Sequence, residues 1–212
     1  MAMQRLLFGL LATVLCAGGA TQVMATPALS FASSSNADAQ ITSTRGYAFD
    51  VLPVAGVTVT ALGVFDNGAD GLFDSHDVGI WDSAGNLLVW ATVPAGTAAP
   101  LDLNNLFRLV DVPDLVLPQG TGYVVGALFL AHGGDLQASS LGGLTTASSI
   151  NYDAGRFINN DVAALSFPTE TLGVTGLPGG SFEVASTVPE PAALTLFGGS
   201  LLGLGWLRRK RT

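Results

Sequence analysis

The sequence predicts an all-β fold, a β-sandwich of jelly-roll type, flanked by an N-terminal signal peptide and a single C-terminal transmembrane helix. Three observations carry this expectation. Short runs of β-branched and aromatic residues recur through the middle of the chain, closed by Gly, Pro, Asp or Asn about every 8–12 residues. No segment of that middle has a convincing amphipathic helical period, Leu101–Leu106 being the nearest to one. Long apolar runs occur only at the two ends. The expected plan is a signal peptide over 1–25, a flexible lead-in or first edge strand over 26–45, a sandwich over 46–187, and a terminal segment over 188–212.

The N-terminus has a short polar start with Arg5, an apolar run from Leu6 to Leu15, and then small residues. Val23-Met24-Ala25 and the stretch ending at Ala20 both offer the small residues that precede a signal-peptidase cut, so the cut is placed after Ala25 or after Ala20. Cys16 does not mark a lipoprotein, because Val14 and Leu15 before it are bulky. Residues 26–45 are mostly small and polar, with little pattern.

Strand character begins at Gly46. Tyr47, Phe49 and Val51 alternate with Ala48 and Asp50, the period of a half-buried strand. Pro53–Gly56 makes a turn, and Val57–Phe65 is rich in β-branched residues. Val78–Trp81 and Leu87–Val93 flank the turn residues Asp82-Ser83-Ala84-Gly85-Asn86 and read as a hairpin. Phe107–Val112 and Tyr123–Leu130 are further strands, with others near Ser148–Tyr152 and Ser181–Ser186. Val57, Val59, Phe65, Ile80, Tyr123 and Val125 are the expected inward residues.

The charge balance narrows the function. Residues 26–187 hold three arginines, no lysine and fifteen acids, so the body is strongly acidic and would repel a phosphate backbone. Nucleic acid is therefore not an expected partner. The single cysteine lies in the leader, which leaves the mature chain without disulfides or thiolate metal ligands.

The densest polar stretch runs from Asp66 to Asp77. Set against a twelve-position calcium loop, Asp66, Asp70, Asp74 and Asp77 take ligand positions, Gly71 takes the turn, and Leu72 offers its backbone carbonyl. Gly68 lacks the oxygen that position three supplies, and Asp77 is shorter than the usual bidentate Glu. The stretch is therefore either a calcium loop on a sandwich or a solvated Gly/Asp turn, since both residue types favour turns. Trp81 and Trp90 flank the hairpin and are candidates for a sugar-stacking platform, with burial in the core as the alternative. The chain lacks the Gly-x-Ser-x-Gly elbow, the phosphate-binding Gly loop and the His-Glu-x-x-His helix. His76 and His132 have no second histidine at ligand spacing, and His132 reads as a solvated loop residue. The expectation is a protein without catalytic residues, and without a cofactor other than calcium.

The C-terminus carries Val188-Pro189-Glu190-Pro191, an apolar stretch over 192–207, and the cluster Arg208-Arg209-Lys210-Arg211. As a helix the apolar stretch reaches about 24 Å, slightly short of a ~30 Å hydrocarbon core. Its basic end should stay cytoplasmic, with everything before it outside.

These three parts, in this order at the chain end, resemble the PEP-CTERM sorting signal of Gram-negative bacteria. The resemblance implies passage through the general secretion machinery, transient inner-membrane anchoring, and processing by exosortase, an intramembrane protease. It also implies a final place in the envelope or extracellular polysaccharide. Residues Gly56–Val59, Val78–Leu88 and Gly120–Gly126 separately resemble the DUF4082-like group of exported bacterial domains, which implies a sandwich of carbohydrate-binding type. Two expectations for the body follow: a structural or matrix protein, or an exopolysaccharide-binding module.

Overall fold

Residues that alternate apolar and polar character cannot bury both faces, so each run needs a second layer to cover its apolar side. In the computed structural model, which describes residues 22–158, 160–172 and 176–188, these runs form fourteen strands. They are β1 (Gln22–Pro27), β2 (Leu29–Ser30), β3 (Ser33–Asp38), β4 (Ser43–Val51), β5 (Val57–Phe65), β6 (His76–Trp81) and β7 (Leu87–Val93). After them come β8 (Phe107–Leu117), β9 (Gly120–Phe129), β10 (Leu136–Gly142), β11 (Thr145–Thr146), β12 (Ile150–Phe157), β13 (Glu170–Leu172) and β14 (Gly180–Val188). The expected signal peptide up to Thr21, the Pro-Glu-Pro triplet, the transmembrane helix and the basic cluster lie outside the described residues. The account below concerns the compact unit Met24–Ser186.

A four-stranded sheet has the order β1-β14-β5-β8, and a six-stranded sheet the order β13-β12-β4-β9-β6-β7. Two short pairs, β10-β3 and β11-β2, complete the set. One hydrophobic core joins the large sheets. Phe182 of β14 meets Phe49 of β4 at 4.7 Å between ring centroids, and Tyr47, Val59, Leu62, Val64, Ile80, Val125 and Phe129 are fully buried around them. All six expected inward residues are buried. The register explains it: Val125 pairs with Tyr47 on one side and Ile80 on the other, so one row of β9 and its neighbours faces the core.

Proline marks the end of the smaller sheet. Pro113 lies in β8, which is an edge strand, at the point where its register with β5 slips between Asp111 and Leu115. A proline that cannot donate to the ladder belongs at such a bulge.

Two stretches with little local pattern take their structure from distant contacts. Residues 26–45, read as a flexible lead-in or a first edge strand, are mostly strand. They carry the end of β1, β2, β3 and the start of β4, with Ala28, Leu29, Phe31 and Ala39 buried. Phe31 holds this stretch down by packing on Phe65 (5.7 Å) and Phe107 (6.2 Å), a gain that local propensity does not register. Residues Leu101–Leu106 form a turn, not a helix. Leu101 bridges Arg108, and the Asp102 carboxylate accepts the amide N–H of Leu106 at 2.8 Å, an Asx-type alternative to helical bonding. Among the described residues there is no helix at all.

Candidate functional site

The acidic stretch between β5 and β6 forms one wall of a cavity of about 350 Å³, lined by Asp66, Asp70, Phe73 and, from the start of β10's approach, Gly134 and Asp135. Asp66 points inward. It is 3% exposed, and its Oδ2 accepts Nε–H of Arg108 at 2.7 Å and the Gly71 amide at 3.0 Å. Arg108, itself 4% exposed, also donates to the carbonyls of Ala99 (2.8 Å) and Ala69 (3.1 Å). One guanidinium thus ties the 66–71 turn to the loop before β8. A buried charge is tolerable when it is paired and hydrogen-bonded, and this one is.

A second, part-buried pair lies at the other side. His76, at the start of β6, has Nδ1 2.7 Å from the Leu128 carbonyl and Nε2 2.9 Å from Asp135 Oδ2. Both ring nitrogens thus face acceptor oxygens. Asp135 in turn accepts the amides of Phe73 (2.8 Å) and Asp74 (2.9 Å). Burial pushes the Asp135 carboxyl up, but the bonds from His76 and the two amides outweigh it and hold it below the usual carboxylate range. His132 is exposed.

The carboxylates expected as calcium ligands do not converge. Asp66 is committed to Arg108, Asp70 is exposed, and Asp77 accepts the Thr92 hydroxyl at 2.6 Å across the β6–β7 hairpin. Asp74 follows an amide given to Asp135, and the Leu72 carbonyl accepts the Gly96 amide at 2.7 Å. Among the described residues no group of three or more His, Cys, Asp or Glu is placed to hold a metal ion.

Sequence reasoning missed Arg108 and Asp135. A signal existed for the first: an arginine inside the apolar run Phe107–Val110 demands a buried partner. Asp135 offered none, because its partner His76 is 59 residues away.

The two tryptophans part company. Trp81 is 3% exposed on the outer face of the six-stranded sheet, beside Ala48 and Val124, and Phe167 meets it edge-on at 6.1 Å. The covering strap, around residues 160–168, is anchored where Asp161 accepts the Thr42 amide and the Thr44 hydroxyl accepts the Ser166 amide. Gly46, Gly126 and Gly79 stand side by side in register on β4, β9 and β6. Of these, Gly79 makes room for the strap: a Cβ there would sit 2.9 Å from Leu87 and 3.2 Å from Leu165. Trp90, the next residue in that row on edge strand β7, is 57% exposed, with Leu87 and Leu88 exposed nearby. The pair therefore forms no common platform; Trp90 alone presents a free ring.

The last strand leads straight into the tail, for β14 ends at Val188 and Pro189 follows. Residues 187–210 match the family model described as the PEP-CTERM protein-sorting motif. The motif indicates export, processing by exosortase and transient membrane anchoring before arrival at the cell surface. No curated protein and no solved structure matches the chain.

Proposed function

We propose that this chain is an exported, non-catalytic surface or extracellular-matrix protein whose body is a jelly-roll sandwich delivered by its C-terminal sorting tail. The match over residues 187–210 carries the delivery half of that proposal. Its support from the fold is positional: the motif overlaps the final strand only at residues 187 and 188, so a cut near Pro191 leaves every described strand in place.

The strand order supports the jelly roll. Among β1, β4, β5, β6, β7, β8, β9 and β14, the first, third, sixth and eighth form one sheet and the other four lie together in the second. That alternation is the wrapping of two Greek keys. The likeness of the body to the DUF4082-like group rests on the three sequence segments quoted above. The buried Arg108–Asp66 ion pair and the part-buried His76–Asp135 contact serve as structural pins, since they join the protein's own loops and strands.

Delivery is tested by mass spectrometry of the protein recovered from its host with and without exosortase. A body ending near Pro191 in the first case and an intact tail in the second supports the proposal; an unchanged C-terminus at Thr212 in both overturns it.

Trp90 favours a second function, binding of extracellular polysaccharide at the β7 edge, because an exposed flat ring suits a pyranose face. A glycan array separates the two. Binding lost in Trp90→Ala establishes a sugar site, whereas no retained glycan leaves the matrix role as the function of the body.

A further inference from the structure

The signal peptide and the sandwich compete for the same residues. A cut after Ala25 would remove Gln22–Ala25, four of the six residues of β1, and would leave only Thr26 and Pro27 of that strand. Pro27 has no N–H to give to a ladder. Yet β1 is one of the four strands of the smaller sheet, and its neighbour is β14.

The partner strand shows what would be lost. β14 pairs with β5 only from Gly180 to Val184. β1 is the neighbour of β14 on its other side. Just past β1 the Ala28 amide donates to the Phe182 carbonyl at 2.9 Å. Without Gln22–Ala25 little of β1 would remain beside β14, which would become a raw sheet edge.

We infer that signal peptidase cuts between Ala20 and Thr21, not after Ala25, so that the mature chain starts one residue before β1. Gly18 and Ala20 supply the small residues such a cut needs. The start of the mature protein then lies beside its last strand. The sheet needs the residues that a cut after Ala25 would remove, and that need distinguishes the two candidate bonds. This inference rests on the proposal that the chain is exported.

The test uses the full-length chain expressed in an exporting Gram-negative host, with the N-terminal peptide of the exported form mapped by mass spectrometry. A start at Thr21 is expected, with that product lost in Ala20→Leu and unchanged in Ala25→Leu. A start at Thr26, abolished by Ala25→Leu, overturns the inference while leaving export intact. A chain that keeps Met1 in both variants and in the wild type overturns export itself, and the inference with it.

Discussion

Replacing Arg108 by Ala removes the cation that holds two loops at one end of the sandwich, and its consequences can be worked through from distances. Asp66 would keep its burial, at 3% exposure, and lose the 2.7 Å bond from Nε. The carbonyls of Ala99 and Ala69 would lose donors at 2.8 and 3.1 Å. Breaking one side of a buried pair costs about 3–5 kcal/mol, because the surviving charge is stranded. Each carbonyl left without a donor adds on the order of 1 kcal/mol where water cannot reach it. For a body of this size each kcal/mol lowers the melting temperature by about 2–4 °C, so Arg108→Ala should fall by roughly 10–28 °C. Circular dichroism melts of the variant and of Asp66→Ala/Arg108→Ala measure it. The double variant should be more stable than Arg108→Ala, since it leaves no orphan charge. A loss under about 1 kcal/mol for Arg108→Ala, or a double variant worse than the single, would refute the buried-pair account.

Phe65→Ala should cost about 3–5 kcal/mol, because the ring is 3% exposed and touches both Phe31 and Phe107; a denaturant titration showing under about 1 kcal/mol would mean the packing is wrong. Asp135 is held low on folding, so it adds stability above its unfolded pKa and loses it as pH falls through the folded value; Asp135→Asn should flatten the acid limb of a stability–pH curve. Glu183 has the opposite sign. Burial, then the charges of Asp102 and Asp111, push its carboxyl up, so its contribution is full below the unfolded pKa and is lost as pH rises. Glu183→Gln should therefore raise the melting temperature at neutral pH while leaving it little changed in acid. Melting curves in chelator and in excess calcium should superimpose, since Asp66, Asp70, Asp74 and Asp77 do not converge; a rise with calcium that Asp70→Ala abolishes would restore the metal loop.

Much of the architecture was legible before any coordinates. The period-2 alternation of Tyr47, Phe49 and Val51, and the turn at Asp82–Asn86, each depend on neighbours within a few residues. Asp82 accepts the amides of Ala84 and Asn86, which lets the hairpin close on its own residues. The sorting tail is legible for a related reason: it is a linear address read in sequence order, and residues 187–210 carry it whole.

What stayed hidden was every decision that depends on which strand lies beside which. Asp66 looks like a metal ligand until the pairing of β5 with β8 sets Val64 opposite Arg108 and brings the guanidinium to it, 42 residues along the chain. Trp81 and Trp90 are equivalent indoles in the sequence; sheet order puts one under Phe167 and the other on an open edge. The residues before Pro27 read in sequence only as a cleavage signal, and it is the sheet that makes Gln22–Pro27 a strand beside β14. Strands β4 to β9, β12 and β14, the hairpin turn and the address are legible in the sequence, because local propensity and linear recognition act over a few residues. The tertiary structure alone decided the partners of the charges, the covered and open faces, and the place of β1, because desolvation and pairing energies are realised only when distant segments meet.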